Sequence, residues 1–265
     1  LEKMVEITGD IDFADHLERI AFNALPTQIS DDFMTKQYFQ QPNQIMVTRH
    51  RRNFDQDHEG TDITFGTLTG YPCCFSNMHQ GWPKFTQHLW YATPDNGIAA
   101  FSYSPSEVTA KVGNNVSVVI SEDTYYPMDN RISFTIKEVK NKTKQVEFPL
   151  HLRIPKWCKR AEIIVNGKAE QYIEGGRIAV INRIWKRNDN VELHLPMEVS
   201  TSTWYENAVT IERGPLVYAL KIKENWKKEN LNNSWYGPHY YQVTSSEPWN
   251  YGLVDFDRSQ VNKIA

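Results

Sequence analysis

Two adjacent cysteines, Cys73 and Cys74, are the residues of this chain whose type and spacing are best suited to chemistry. They follow Pro72 and precede a segment with the apolar spacing of a helix. An ionised thiol is a strong nucleophile and a soft metal ligand, and the dipole and unpaired N–H groups at a helix start favour the anion. The pair could therefore act as a nucleophile, as zinc ligands, or as both. Two reduced, inert thiols packed at a helix start are the plainer alternative.

A zinc site at this pair would need further ligands, because zinc in proteins takes about four. The sequence contains no Cys-x-x-Cys or His-x-x-x-His pair that could supply them. We interpret the distant Cys158 as a small buried hydrophobe. His79 and His88 lie on the predicted helix, and each is more typical of an exposed or hydrogen-bonded histidine than of a ligand.

A polar stretch from His50 to Thr64 is a second candidate for binding a cation. The residues that could bind a cation there are Asp55, Asp57, His58, Glu59 and Asp62. Long loops inside compact domains are often functional, but we favour a solvated loop here.

The composition excludes several classes of function. A net charge of −3 and the lack of a basic stretch argue against nucleic acid and a membrane surface as partners. No apolar run approaches the roughly 18 residues that a membrane-spanning helix needs. The first residue is Leu1 and no signal peptide follows, so we expect a partial chain. Its cellular location stays unknown, with a periplasmic or secreted one slightly favoured over a cytoplasmic one.

The elements that must position the cysteines are predicted to be helical before them and extended after them. Residues 1–27 predict a helical hairpin, with Gly9 as a C-cap, Asp12 as an N-cap and Pro26 as the end. A further helix is predicted over residues 73–92, with a kink or a fresh first turn at Pro83.

From Gly97 onward the apolar period changes to two, which predicts strands. Asn166-Gly167 is the strongest hairpin signal among the turns between them. The strands are predicted at residues 98–103, 107–112, 116–121, 132–137, 146–154, 162–165, 177–181, 191–195, 209–212 and 217–220. Many short strands at this spacing indicate a β-sandwich. Residues 224–265 are predicted to form an irregular tail, rich in aromatic side chains, that wraps back onto a neighbour.

Five segments of the sequence, in register from residue 1 to about residue 220, resemble the β-L-arabinofuranosidases of glycoside hydrolase family 127. The segments are Thr8-Gly9-Asp10-x-x-Phe13-Ala14-Asp15-x-Leu17-Glu18-Arg19-x-x-x-Asn23-Ala24-Leu25, Cys73-Cys74-x-x-Asn77, Ser106-Glu107-Val108, Leu152-Arg153-Ile154-Pro155-x-Trp157 and Glu212-Arg213-Gly214-Pro215-Leu216-Val217-Tyr218. The string from Asn77 to Phe85 is similar to a less studied branch of that superfamily.

The resemblance implies a retaining glycosidase with an (α/α)6 catalytic toroid followed by β-sandwich domains. It implies that Cys73 is the nucleophile and that Cys73 and Cys74 bind Zn²⁺. We also expect Asn77, His79 and Trp82, on the predicted helix, to contact the substrate. The family's other zinc ligands and its acid/base glutamate lie upstream of the segment that matches Thr8. The two prolines that usually follow the cysteines are replaced here by Phe75 and Ser76.

We therefore expect an α+β chain: the last helices of the toroid over residues 1–95, an antiparallel β-sandwich over 96–223, and the aromatic tail over 224–265. The partner would be an oligosaccharide or glycoside, and this chain alone would not be a competent enzyme. Three other functions stay open. One is a carbohydrate-binding or structural β-sandwich without catalysis, and another is a glycosidase with the same nucleophile and a different sugar. The third is a redox or zinc-storage role for the cysteine pair.

Overall fold

The structure is a computed structural model that describes residues 1–41, 44–50, 59–231, 235 and 237–253. The chain forms two compact units. Unit 1 comprises residues 1–22, 84–199 and 212–216, and unit 2 comprises residues 23–83, 200–211 and 217–265. No helix within the described residues is long and apolar enough to cross a membrane.

The helical elements are few and precede the strands, as predicted. They are α1 (Glu2–Thr8), α2 (Ile11–Arg19), a π-helical turn (Ile20–Ala24), α3 (Leu25–Thr27) and α4 (Cys73–Gln87). Gly9 ends α1 with a φ of 64°, which confirms the predicted C-cap. The N-cap of α2 is Asp10 rather than Asp12, because the Asp10 carboxylate accepts the Asp12 N–H at 2.9 Å. The (α/α)6 toroid stays a prediction.

The strands follow in chain order. They are β1 (Trp90–Ala92), β2 (Ile98–Ala100), β3 (Ser106–Val112), β4 (Val116–Thr124), β5 (Arg131–Lys140), β6 (Gln145–Ile154), β7 (Arg160–Val165), β8 (Lys168–Glu174), β9 (Arg177–Lys186), β10 (Asn190–His194), β11 (Val199–Thr203), β12 (Val209–Arg213), β13 (Leu216–Tyr218), β14 (Asn225–Asn230) and β15 (His239–Thr244). A short 3₁₀ turn, Tyr205–Asn207, separates β11 from β12.

Unit 1 contains two sheets, in the strand orders β1-β2-β6-β9 and β3-β4-β5-β10-β7-β8. Their apolar side chains form one shared core, in which Trp185 is fully buried and its indole N–H donates to the Phe148 carbonyl at 2.9 Å. This arrangement of two sheets around one core agrees with the predicted sandwich. The Asn166-Gly167 turn joins β7 and β8 with φ values of 50° and 77°, as that dipeptide predicts.

Four details of the secondary structure were predicted wrongly. The sandwich is not wholly antiparallel, because Ile98–Ala100 runs parallel to Leu150–Leu152. The chain between those two segments crosses to the other sheet before it returns. The helix predicted over residues 73–92 ends at Gln87, and Trp90–Ala92 is a strand because it pairs with Ile98–Ala100. The prediction also missed β8 and β11.

The fourth error concerns residues 224–265, which are not irregular throughout. Within them β14 and β15 form an antiparallel pair, with Trp226 opposite Val243 and Lys228 opposite Tyr241. The backbone of β15 also bridges to Val47 and Phe65 in the same unit. Long-range pairing therefore gives this segment a regular structure that its local sequence did not indicate.

Candidate active site

The two cysteines occupy the first turn of α4, as the sequence predicts. The Pro72 carbonyl accepts the Phe75 N–H at 3.0 Å and so begins the helical hydrogen bonding. The Cys73 side chain is exposed, and that of Cys74 is half-buried. Neither cysteine is in a disulfide. Both cysteines therefore lie in the first turn of the helix, where backbone N–H groups have no partner within the helix.

The helix divides the three predicted substrate-binding residues between its faces. Asn77 follows Cys73 by four residues and Cys74 by three, and both spacings place it on the same face as the pair. His79 is exposed and falls on the opposite side of the helix. Trp82 is half-buried and lies more than two helical turns after the cysteines. The substrate-binding roles of these three residues stay predictions.

Lys36 is the functional candidate that sequence reasoning missed. Its side chain is fully buried, and its ammonium group donates to the carbonyl oxygens of Thr69 and, at 2.8 Å, Tyr71. The Lys36 backbone also pairs with Gly66 in both directions, at 3.2 and 3.0 Å. Lys36 lies in a short extended segment, and no motif or spacing there distinguishes it from a surface lysine.

The loop that leads into the cysteines is fixed by buried hydrogen bonds rather than by apolar packing. Thr61, Thr64 and Thr69 are fully buried. The Thr69 hydroxyl donates to the Thr64 carbonyl at 3.2 Å, and the Gly70 N–H donates to the Thr61 hydroxyl at 3.3 Å. Burying polar groups is costly unless they are hydrogen-bonded, and networks that are satisfied hold one geometry. This loop therefore holds the start of α4, and the cysteines in it, in a fixed place.

Gly70 allows this loop to lie close to Tyr38. Its φ is +60°, and a Cβ there would lie 2.4 Å from the Tyr38 Cβ. A side chain at this position would therefore meet both backbone strain and a steric clash. The Tyr38 ring in turn lies 5.3 Å from the Tyr71 ring, between their centroids, in an edge-to-face arrangement. The ammonium group of Lys36 lies 5.6 Å from the centroid of the Tyr38 ring.

The charges of this cluster influence one another. Burial lowers the pKa of Lys36 to about 8, against the opposing effect of Cys74, Cys73 and Asp62, so the ammonium is mostly charged at neutral pH. Burial raises the pKa of Cys74, the charge of Cys73 raises it further, and Lys36 opposes the rise. For Cys74 the sequence argument, which expected the helix start to favour the anion, therefore gave the wrong direction. Without further positive charge Cys74 is a thiol.

Zinc binding by the cysteine pair stays a prediction. No group of three or more His, Cys, Asp or Glu side chains that could hold a metal occurs among the described residues. Two thiols in one helical turn fit two positions of a four-ligand site. In the polar stretch after His50, Asp55, Asp57 and His58 lie outside the described residues. Glu59 there pairs with Arg49 at 3.0 Å, and Asp62 is buried.

Cys158 and His88, which lies just after α4, agree with their predicted structural roles. Cys158 is fully buried, and burial raises the pKa of its thiol to about 11. The Nδ1 of His88 lies 2.6 Å from the Lys84 carbonyl oxygen, one turn earlier on the chain.

Comparison with solved structures shows which proteins share this fold. A protein described as a glycoside hydrolase is 23% identical with a TM-score of 0.67, over 95% of this chain and 44% of its own. A GH127 β-L-arabinofuranosidase from Geobacillus stearothermophilus T6 is 21% identical with a TM-score of 0.66, over 95% and 42%. A GH127 β-arabinofuranosidase is 18% identical with a TM-score of 0.64, over 91% and 44%. The chain thus has the fold of part of a glycoside hydrolase, and it spans less than half the length of each of these structures.

Family profiles make the assignment specific. The GH127 β-L-arabinofuranosidase catalytic domain matches residues 1–87, and the middle domain of the same family matches residues 97–197. The chain belongs to the GH127-like glycoside hydrolases. Among curated proteins no significant match was found. Both cysteines lie within the range matched by the catalytic domain.

Proposed function

We propose that this chain contributes a cysteine nucleophile to a retaining glycoside hydrolase of the β-L-arabinofuranosidase type. The observation that carries the proposal is the position of Cys73: exposed, in the first turn of α4, and inside the range matched by the GH127 catalytic domain. We also propose that α1 to α4 are the last helices of an (α/α)6 catalytic toroid.

In the proposed reaction the Cys73 thiolate attacks the anomeric carbon of the glycoside. The bond from that carbon to the leaving oxygen breaks, and a general acid protonates the oxygen. Water then adds to the anomeric carbon and gives a proton to the same acid/base group, which the first step left deprotonated, and the carbon–sulfur bond breaks to return the thiolate. Two displacements at one carbon give net retention. The acid/base glutamate is not assigned to a residue of this chain.

Zn²⁺ is the cofactor that this proposal implies, with Cys73 and Cys74 as two of its ligands. Bound zinc would keep the thiols ionised at neutral pH. The remaining ligands would come from outside the described residues. The residues of this chain present the two sulfurs at the helix start, hold the loop before them, and place Asn77 beside them.

The proposal is tested by replacing each cysteine in the complete protein. We expect Cys73→Ser to lower kcat/KM on a nitrophenyl β-L-arabinofuranoside by several orders of magnitude, because the serine hydroxyl is a far weaker nucleophile than the thiolate. Cys74→Ser should reduce the bound zinc measured by elemental analysis. Cys158→Ala is the matched control, since Cys158 is buried in the sandwich and should leave turnover unchanged. Activity that survives Cys73→Ser would refute the nucleophile assignment.

A second candidate function is carbohydrate binding without catalysis. Exposed aromatic rings in unit 2 favour it, because flat rings suit the faces of sugars. These rings belong to Trp204, Tyr205, Trp235, Trp249 and Tyr251. In that case Cys73→Ser would leave turnover of the complete protein untouched, while substitution of these aromatic residues would weaken retention on a polysaccharide. A glycosidase with the same nucleophile and another sugar would instead be identified by a panel of nitrophenyl glycosides.

A further inference from the structure

A polar groove of about 490 Å³ lies in unit 1, where three turns meet strand β6. The turns join β1 to β2, β3 to β4 and β5 to β6. Ligand sites in proteins have volumes of roughly 300–1,000 Å³, and this groove falls within that range. Six polar side chains that the proposed reaction does not use line it: Asp95, Asn114, Asn141, Gln145, Glu147 and Asn182. The groove is therefore a candidate for a further ligand site.

The turns that form the groove are held together by their backbone. The Gly113 N–H donates to the Asn96 carbonyl at 2.7 Å, which joins two of the three turns. Gly113 has a φ of +53°, and a Cβ there would lie 2.6 Å from the Glu147 carbonyl oxygen. A larger residue would therefore push this turn away from β6. Because the walls of the groove are fixed in advance, a ligand loses less of its binding energy to ordering them.

Two of the side chains that line the groove are also oriented. The Asn141 side chain donates from Nδ2 to the Gln145 carbonyl at 2.7 Å. Its Oδ1 is buried and has no hydrogen-bond partner among the described residues. Buried polar atoms without a partner are rare in proteins, and a ligand hydroxyl group that donates to Oδ1 would supply one. The Asp95 carboxylate is held by His151, whose Nε2 lies 3.0 Å from its Oδ2.

The chemistry of the groove suits a neutral sugar. Four of the six polar side chains are amides, and an amide both donates and accepts hydrogen bonds, as a sugar hydroxyl does. Among the described residues no lysine or arginine lines the groove, so an anionic ligand would meet two carboxylates without a matching cation. Val116 and Pro149 are half-buried and add apolar surface for the C–H groups of a sugar ring.

We propose that this groove binds a neutral oligosaccharide and gives the protein a second sugar site. All of its lining residues belong to unit 1, whereas the cysteine pair belongs to unit 2. A second site on one chain raises the effective concentration of a polymeric sugar at the first. The inference rests on the proposed function only for the choice of an arabinose-containing sugar among the ligands to test.

The experiment titrates the chain with arabinotriose, xylotriose and maltotriose, followed by saturation-transfer difference NMR. We expect at least one of them to bind. Asn114→Ala combined with Asn182→Ala should weaken that binding about tenfold or more, because each lost hydrogen bond is worth roughly fivefold in affinity. Both side chains are exposed, so the fold should tolerate their loss. A chain that binds none of the three sugars, or a double variant that binds as tightly as the unchanged chain, would overturn the proposal.

The matched control is Glu107→Ala combined with Thr109→Ala. It removes two exposed polar side chains from β3, outside the groove, and should leave the affinity unchanged. Trigalacturonate tests the charge argument, because it is an anionic trisaccharide. It should bind more weakly than the neutral sugars, and tighter binding would overturn the assignment of a neutral ligand.

A second measurement needs no substitution. Hydrogen exchange followed by mass spectrometry should slow at residues 113–116 and 141–147 when the bound trisaccharide is added. Protection confined to residues 200–211 and 217–253 would place the sugar in unit 2 and overturn the proposal. If Cys73→Ser leaves glycosidase activity of the complete protein intact while the groove binds sugar, the proposed function fails and the groove stands as a sugar site.

Discussion

Replacing Arg153 with methionine should strongly destabilise unit 1. Arg153 is fully buried, and its guanidinium group pairs with the carboxylates of Asp15 and Glu18 on α2. Its Nε also donates to the Phe101 carbonyl. Glu18 is itself buried and would be left without its cation. Removing one partner of a buried ion pair costs about 3–5 kcal/mol, because the other charge remains buried without compensation.

This loss can be measured by urea unfolding, followed by circular dichroism and tryptophan fluorescence. With a denaturant dependence of about 2 kcal/mol per molar urea, the midpoint should fall by roughly 2 M. Lys159→Met is the control, because it breaks the ion pair with Glu198 on the surface, where such pairs contribute little. Its midpoint should be unchanged.

A second substitution tests whether the uncompensated charge causes the loss. Glu18→Gln added to Arg153→Met should recover part of the stability, because it removes the buried charge. Asp15→Asn added to Arg153→Met should recover less, because the Asp15 side chain is 19% exposed and water can reach it. If the urea midpoint of Arg153→Met lay within about 0.3 M of the wild-type midpoint, the reasoning would be refuted, because the expected fall is several times larger. Equal recovery of stability by the two double substitutions would refute it as well.

The remaining predictions concern a buried carboxyl group and a glycine. Burial raises the pKa of Glu122 to about 8, from its usual 4.5, so its contribution to stability is fully present below about pH 4.5 and is lost as the pH rises through 8. Between pH 5 and pH 8 the urea midpoint should therefore fall less for Glu122→Gln than for the wild-type chain. If the midpoints of the two proteins changed in parallel with pH, the prediction would be wrong. Gly70→Ala should cost more stability than Gly9→Ala, since both have positive φ but only Gly70 would also clash, with Tyr38. The left-handed strain costs about 1–2 kcal/mol in each, and overpacking adds about 1–3 kcal/mol at Gly70. Equal urea midpoints for the two variants would contradict this prediction, because they would show that the loop around Gly70 rearranges with no further loss of stability.

The Arg153 network also links two of the five sequence segments that carry the family resemblance. Asp15 accepts the Lys156 N–H at 2.9 Å, and Glu18 accepts the Trp157 indole N–H at 3.3 Å. The acidic residues of the first segment therefore bind the Arg-Ile-Pro-x-Trp segment that lies about 140 residues later. Each segment alone is a weak signal, and the structure shows that they are two halves of one buried contact within unit 1.

The sequence by itself determined the features that depend on neighbours along the chain. Gly9 ends α1 because glycine accepts a positive φ, and Asn166-Gly167 makes the turn between β7 and β8 for the same reason. The change of apolar period near Gly97 predicted that strands follow the helices, although the first strand, β1, already begins at Trp90. The cysteine pair could be located because a proline and a helical pattern surround it.

Only the tertiary structure decided the features that depend on residues far apart in the chain. Nothing local predicts that Ile98–Ala100 runs parallel to Leu150–Leu152, or that residues 225–244 contain a paired hairpin. The burial of Glu122 and Lys36 is likewise invisible in a sequence where both residue types are usually exposed. The pKa of a buried group depends on which groups surround it, and folding sets those surroundings. The sequence could therefore name the two sulfurs, but only the fold brought the buried lysine to the segment that precedes them.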